Sequence, residues 1–86
     1  MPVLSEFFGI KITMYYDDHN PPHFHASYGD DKALIDIKNA RVLEGKLPSK
    51  QLKLVLAWAV IHQEELMNDW DLAEKLEELF TINPLQ

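Results

Sequence analysis

Three of the four histidines of this 86-residue chain fall within seven residues, in the run HNPPHFH from His19 to His25. Histidine exchanges a proton near neutral pH, and its neutral ring binds zinc, copper, nickel and iron. Asp17 and Asp18 directly precede the run, and a carboxylate beside imidazoles can complete a metal site. The spacing therefore indicates acid–base chemistry or metal binding.

These side chains support three hypotheses. In a catalytic site, His23 and His25 act as acid and base, because two histidines near neutral pH can hold opposite protonation states. In a metal site, His19, His23 and His25 bind a divalent transition metal. In a structural role, the ring nitrogens bond to backbone groups or to Asp17 and Asp18. The residues alone leave all three open.

Tyr16, Asp17, Asp18, His19 and Lys46 are the candidate ligand-binding residues around the histidines. The Lys and Arg of residues 32–53 make a basic middle segment, but they lack the aromatic interleaving of a single-strand binder. The chain has only 3 Gly and no glycine-rich phosphate loop. Nucleic acid is therefore a disfavoured partner.

Alternating hydrophobicity predicts the strands that position the histidines. Residues 9–16, 23–28, 33–38 and 41–44 alternate, and the paired prolines at 21–22 interrupt the ladder. Residues two apart on a strand point to the same face, so His23 and His25 should project together, opposite Phe24. On the third strand, Asp36 and Lys38 should lie on a polar face.

From Ser49 the hydrophobic period becomes that of a helix. Ser49 is the predicted N-cap of a helix over residues 49–67, and Asn68–Asp69 is the predicted break. A second helix should run over about residues 69–80, and Ile82 and Leu85 should dock the tail on the sheet. The residues predicted to form the core of this half are Trp58, Trp70, Ala73, Leu76 and Phe80.

Together these elements predict an α+β fold, with residues 1–86 as a single domain. We expect a small antiparallel sheet of three to four strands, followed by a long helix and a second C-terminal helix packed on one face. The absence of Cys excludes a disulfide scaffold. The longest apolar run is too short to span a bilayer, so we expect a cytoplasmic protein with no membrane partner.

Two features point to a protein partner. Ala57 and Val60 lie outside the stripes of the first helix that should face the core, and an exposed apolar strip there would mark a dimer or partner contact. Alternatively, the second helix and the tail cover it. Residues 63–86 carry the whole net charge of −6, which makes the last helix a solvated or partner-facing acidic surface.

One set of segments carries a resemblance to a known family: Phe7–Ile10, Met14–His25, Leu43–Pro48, Trp58, His62, Glu65–Leu66 and Asn68–Trp70. Through them the chain resembles the bacterial domain-of-unknown-function family 4160 over nearly its whole length. The resemblance implies a small stand-alone bacterial protein, of a kind often encoded beside a member of domain-of-unknown-function family 2442 in pairs that look like toxin–antitoxin modules. It thus implies a partner-binding component, with that neighbour or a second copy as the partner. One alternative is an RNase-like hydrolase using His23 and His25, although RNA-cleaving toxins are usually basic. Another alternative is a histidine-based metal-binding module.

Overall fold

In a computed structural model, which describes residues 2–86, the chain forms an antiparallel sheet followed by two helices. Its five strands lie side by side in chain order. This confirms the α+β class and the antiparallel sheet, but the sheet has five strands where three to four were predicted. Within the described residues, no helix has the length and apolar character needed to cross a membrane. The elements are β1 (Val3–Phe7), β2 (Ile10–Thr13), β3 (His23–Tyr28), β4 (Asp31–Asp36), β5 (Arg41–Gly45), α1 (Ser49–Ile61) and α2 (Gln63–Glu74).

Strand β1 is the strand that the hydrophobic pattern did not predict. The pairing of β1 with β2 shifts register between Val3 and Ser5, and the adjacent residues Leu4 and Ser5 are both buried. Such a bulge breaks the period of two that identifies a strand in a sequence. The turn into β2 has positive φ at Phe8 (50°) and Gly9 (78°), as tight hairpins require.

Helix α1 covers one face of the sheet. Register pairs Phe24 with Ile35 across β3 and β4, so both side chains lie on that face, and both are fully buried. The Trp58 ring from α1 meets Phe24 edge-on at 5.7 Å between centroids. The indole Nε1–H of Trp58 donates to the carbonyl oxygen of Asn83 over 2.8 Å. Trp58 and the equally buried Trp70 are therefore core residues, as predicted.

The helix boundaries differ from the prediction at three points. Pro48, not Ser49, is the N-cap of α1, and no side chain caps this end. The break lies at His62, which has φ −108° and ψ 25°, rather than at Asn68–Asp69. Asp69 lies inside α2 and is buried. Its Oδ1 accepts the backbone N–H of Phe80, which follows the helix, so the Asp69 side chain does not cap a helix.

The C-terminal segment folds back on the sheet. The backbone N–H of Ile82 donates to the carbonyl oxygen of Leu4 over 2.7 Å, and Leu85 packs against the core, which confirms the predicted docking. The predicted burial of Leu76 and Phe80 is wrong, since they are 69% and 66% exposed. Helix α2 ends at Glu74, so these two residues no longer continue its buried stripe.

Asp36 is buried at the end of β4, where the sequence predicted a polar, solvated position. Its Oδ1 accepts the backbone N–H groups of Lys38 and Asn39, and its Oδ2 accepts the Asn39 side-chain amide at 2.8 Å. Arg41 Nε lies 3.6 Å from the same Oδ2. The Asp36 carboxylate thus holds the turn from β4 to β5 through hydrogen bonds to its residues. The alternation of polar and apolar residues does not reveal these hydrogen bonds.

Candidate functional site

The loop over residues 14–22, between β2 and β3, carries the carboxylates to the start of β3. The N–H of Asp17, which has φ 53°, donates to the Ala73 carbonyl of α2 over 3.3 Å. The Pro22 carbonyl accepts the Ile37 N–H over 3.1 Å, and the Asn20–Pro21 peptide bond is cis. Contacts to α2 and to the end of β4 therefore fix the loop at both ends.

This loop places Asp18 against His23 and His25. Asp18 Oδ2 lies 3.0 Å from His23 Nε2 and 3.4 Å from His25 Nε2. The two histidines project from the same face of β3, with Phe24 buried on the other face, as the spacing predicts. One oxygen and two nitrogens, all within 4.8 Å of one another, form what we call the Asp-His-His cluster (Asp18, His23, His25).

Each member of the cluster is held by a further contact. Asp18 Oδ1 accepts the backbone N–H of His19 over 2.8 Å. The His25 ring meets Tyr15 edge-on at 4.2 Å between centroids, and the His23 ring lies 5.3 Å from that of Trp70. These contacts restrict the three side chains to one arrangement before any ligand is bound.

The two contacts of His23 leave its Nε2 facing the Asp18 carboxylate. His23 Nδ1 lies 2.8 Å from the Pro21 carbonyl oxygen, which only accepts, so Nδ1 carries a proton. His23 Nε2 faces an oxygen of Asp18, which also only accepts when ionised. A metal ion placed between the two atoms would be bound by both of them.

The pKa values of Asp18 and His25 both lie below their ordinary values. Partial burial acts to raise the pKa of Asp18, but the His19 N–H and the two imidazoles outweigh it and hold this pKa below 3.8. Burial lowers the pKa of His25 below 6.5, against the opposing hydrogen bond to Asp18. At neutral pH Asp18 is an anion and His25 is a neutral ring, the forms in which both bind metals.

An open cavity of about 310 Å³ lies over the cluster. Register aligns His25 on β3, Leu34 on β4 and Glu44 on β5 in one row, so these side chains share the face that α1 leaves uncovered. Glu44 was not among the predicted site residues. Only the register of the paired strands brings it to the cavity, and the hydrophobic pattern of one strand does not reveal that register. The cavity is lined by Asp18, His19, Asn20, Pro21, His23, His25, Leu34, Leu43 and Glu44.

The remaining predicted site residues lie at different distances from the cluster. His19 lines the cavity, but Asp18 rather than His19 joins the two imidazoles in the cluster. The loop therefore directs the Asp18 carboxylate, and not the His19 ring, toward the two imidazoles. Tyr16, Asp17 and Lys46 are exposed and do not line this cavity.

A family model described as Domain of unknown function (DUF4160) matches residues 9–71 of the chain. The matched range contains every residue of the cluster and of the cavity above it. No curated protein and no solved structure matches the chain.

Proposed function

The chain belongs to the Domain of unknown function (DUF4160) family, and we propose that it binds a divalent transition metal through Asp18, His23 and His25. The observation that carries the proposal is the approach of three ligand atoms from two elements to within 4.8 Å of one another. Two imidazoles and one carboxylate form a donor set suited to zinc, iron or nickel, whereas calcium and magnesium favour oxygen ligands.

The separations within the cluster fit a common metal ion. Ligands about 2.0–2.1 Å from a tetrahedral zinc stand about 3.4 Å from one another. The His25 Nε2 to Asp18 Oδ2 distance is 3.4 Å, and the His23 Nε2 to Asp18 Oδ2 distance is 3.0 Å. The ligand nitrogens of His23 and His25 lie within 4.8 Å of each other and would close toward the same separation on binding.

The surrounding hydrogen bonds support the same role. Histidines that bind a metal through one ring nitrogen commonly donate the other ring N–H to a carbonyl or carboxylate, which fixes the tautomer. The contact from His23 Nδ1 to the Pro21 carbonyl has this arrangement, and it leaves Nε2 as the ligand atom. The His19 N–H orients the Asp18 carboxylate in the same way.

Calorimetric titration of the full chain with Zn²⁺ and Ni²⁺ tests the proposal. We expect one ion per chain with micromolar or tighter affinity, and an affinity at least about 100-fold weaker for His25→Gln, because loss of a ligand costs more than loss of its supporting contact. His25 is partly exposed, so this variant should keep the fold.

His19→Gln is the matched control, because His19 lies on the same loop and lines the same cavity outside the cluster. Its affinity should equal that of the wild type. Wild-type affinity weaker than about millimolar would contradict metal binding. An equal loss in His19→Gln and His25→Gln would contradict the assignment of the ligands.

As a second candidate function, we propose the partner-binding component of a cytoplasmic toxin–antitoxin-like gene pair. The observation that favours it is the apolar surface of α1, where Val60 and Ile61 are 66% and 65% exposed and Ala57 is also exposed. Helix α2 and the tail leave these side chains uncovered. The proposed partner is a neighbour-encoded protein of the domain-of-unknown-function 2442 type, or a second copy of the chain.

Light scattering on the purified chain, alone and co-expressed with that neighbour, tests the second candidate. We expect a stable complex that Val60→Asp abolishes, since a charge in an apolar contact is costly. Lys11→Asp, an exposed change on the uncovered face of the sheet, should leave the complex intact. A monomer that ignores the neighbour would contradict this function and leave the metal site unaffected.

A further inference from the structure

We infer that the metal centre is hydrolytic: one coordination position faces the cavity, and Glu44 accepts a proton from the water bound there. The inference rests on the proposed metal binding and deepens it. It assigns the site a reaction class, a proton acceptor and a class of substrate.

The number of ligands indicates an open centre. The cluster offers three ligand atoms, and within residues 2–86 no larger group of His, Asp and Glu includes it. Structural zinc sites are typically closed by four protein ligands, whereas catalytic sites use three and keep one position for water or substrate. The cavity of about 310 Å³ adjoins all three ligands, so the free position opens toward a space large enough for a small molecule.

Glu44 is placed to act on a water at that position. It lies in one row with His25, two strands away, and two strand spacings amount to about 9.6 Å between backbones. Its side chain lines the cavity, yet it is not within the 4.8 Å group of ligand atoms. Glu44 therefore fits the place of a proton acceptor beyond the ligands better than that of a fourth ligand.

The reaction balances with these groups alone. The bound water gives one proton to the Glu44 carboxylate, and the remaining hydroxide forms a bond to an ester carbonyl carbon. The bond from this carbon to the alcohol oxygen then breaks. The proton held by Glu44 passes to the departing oxygen, which leaves a carboxylic acid and an alcohol.

The charge of the cavity selects the substrate class. Asp18 and Glu44 are acidic, and no Lys or Arg occurs among the residues that line this cavity. With a divalent ion bound, these charges cancel, and Leu34 and Leu43 supply an apolar wall. A small uncharged ester suits this neutral site, whereas an anionic phosphodiester would add a negative charge that no Lys or Arg of the lining offsets. His23 is only 5% exposed, which limits its access to a substrate as large as RNA.

Hydrolysis of 4-nitrophenyl acetate by the zinc-loaded full chain tests the inference. Glu44→Gln should lower kcat/KM by about 10²–10⁴-fold, the range for loss of a general base, while zinc affinity stays within about threefold. Glu6→Gln, an exposed change on β1, is the matched control and should keep the wild-type rate. Bis(4-nitrophenyl) phosphate should react at least about tenfold more slowly than the acetate, because it is anionic.

A spectroscopic readout separates this inference from the metal proposal. With Co²⁺ in place of Zn²⁺, added azide should change the visible spectrum of both the wild type and Glu44→Gln, because it enters the open position. If zinc binds but azide leaves the spectrum unchanged, or if Glu44→Gln hydrolyses the acetate at the wild-type rate, the hydrolytic inference is wrong and metal binding stands. If neither Zn²⁺ nor Ni²⁺ binds, both are wrong.

Discussion

The sheet and the helical half of the molecule each contain a histidine–carboxylate pair, but they position it differently. In the sheet half, a nine-residue loop brings Asp18 to His23, and both side chains are largely buried. In the helical half, Glu65 lies one turn after His62, and its side chain is exposed. The helical contact is the shorter, at 2.6 Å against 3.0 Å. The shorter distance therefore does not make the helical contact the stronger one, because solvent screens the exposed pair.

Buried aspartates show the same difference between the two halves. In the sheet half, both oxygens of Asp36 have partners, and although burial acts to raise its pKa, the hydrogen bonds from Asn39 and Lys38 hold that pKa below 3.8. In the helical half, Oδ2 of Asp69 has no hydrogen-bond partner within residues 2–86, and burial raises its pKa above 3.8. In the sheet half, both carboxylate oxygens of the buried aspartate accept hydrogen bonds, whereas in the helical half one of the two does not.

Removing the satisfied aspartate should have the largest effect on stability. Asp36→Ala leaves the turn N–H groups of Lys38 and Asn39 without their acceptor, and we expect a loss of about 2–3 kcal/mol in the free energy of unfolding. Urea unfolding measures this loss. Asp30→Ala, in the exposed turn between β3 and β4, is the control and should change stability by less than about 0.5 kcal/mol. Equal losses in both variants would contradict the comparison.

The two aspartates should also respond to pH with opposite signs. The unfolded chain binds more protons than the fold at Asp36, so the contribution of Asp36 is lost as pH falls through its lowered pKa. At Asp69 the fold binds more protons, so stability decreases as pH rises from 3.8 through the raised pKa.

Asp69→Asn isolates the second of these effects. The amide keeps an acceptor for the Phe80 N–H and removes the buried charge, so the variant should be about 1 kcal/mol more stable than the wild type at neutral pH. This advantage should disappear below pH 3.8, where the carboxyl is neutral in both states. Thermal unfolding across the pH range measures it. A variant less stable than the wild type at pH 7 would show that the charge is compensated.

The sequence predicts those elements whose signal is local and regular. Strand β3 and the shared face of His23 and His25 follow directly from alternation over six residues. The helix break at His62 was missed because no Gly or Pro marks it, whereas Asn68 and Asp69 resemble caps. In β1, the bulge removed the alternation.

The candidate site depends more on contacts that are distant in sequence. The histidine run identified its two imidazoles, but whether Asp18 or His19 turns inward depends on loop contacts with β4 and α2. Glu44 enters the cavity only through the pairing of β3, β4 and β5. Neither signal exists within a single segment of the chain.

The exposed pair of the helical half should give the smallest effect. Glu65→Gln removes the carboxylate that contacts His62 Nδ1, and we expect a change below about 0.5 kcal/mol in the free energy of unfolding, because exposed pairs contribute little. The same change removes a negative charge that helps to raise the pKa of Asp69, which offsets part of the loss. Urea unfolding at low and at high salt measures both contributions. A loss comparable to that of Asp36→Ala would mean that local spacing alone can make a strong pair, and the contrast between the two halves would fail.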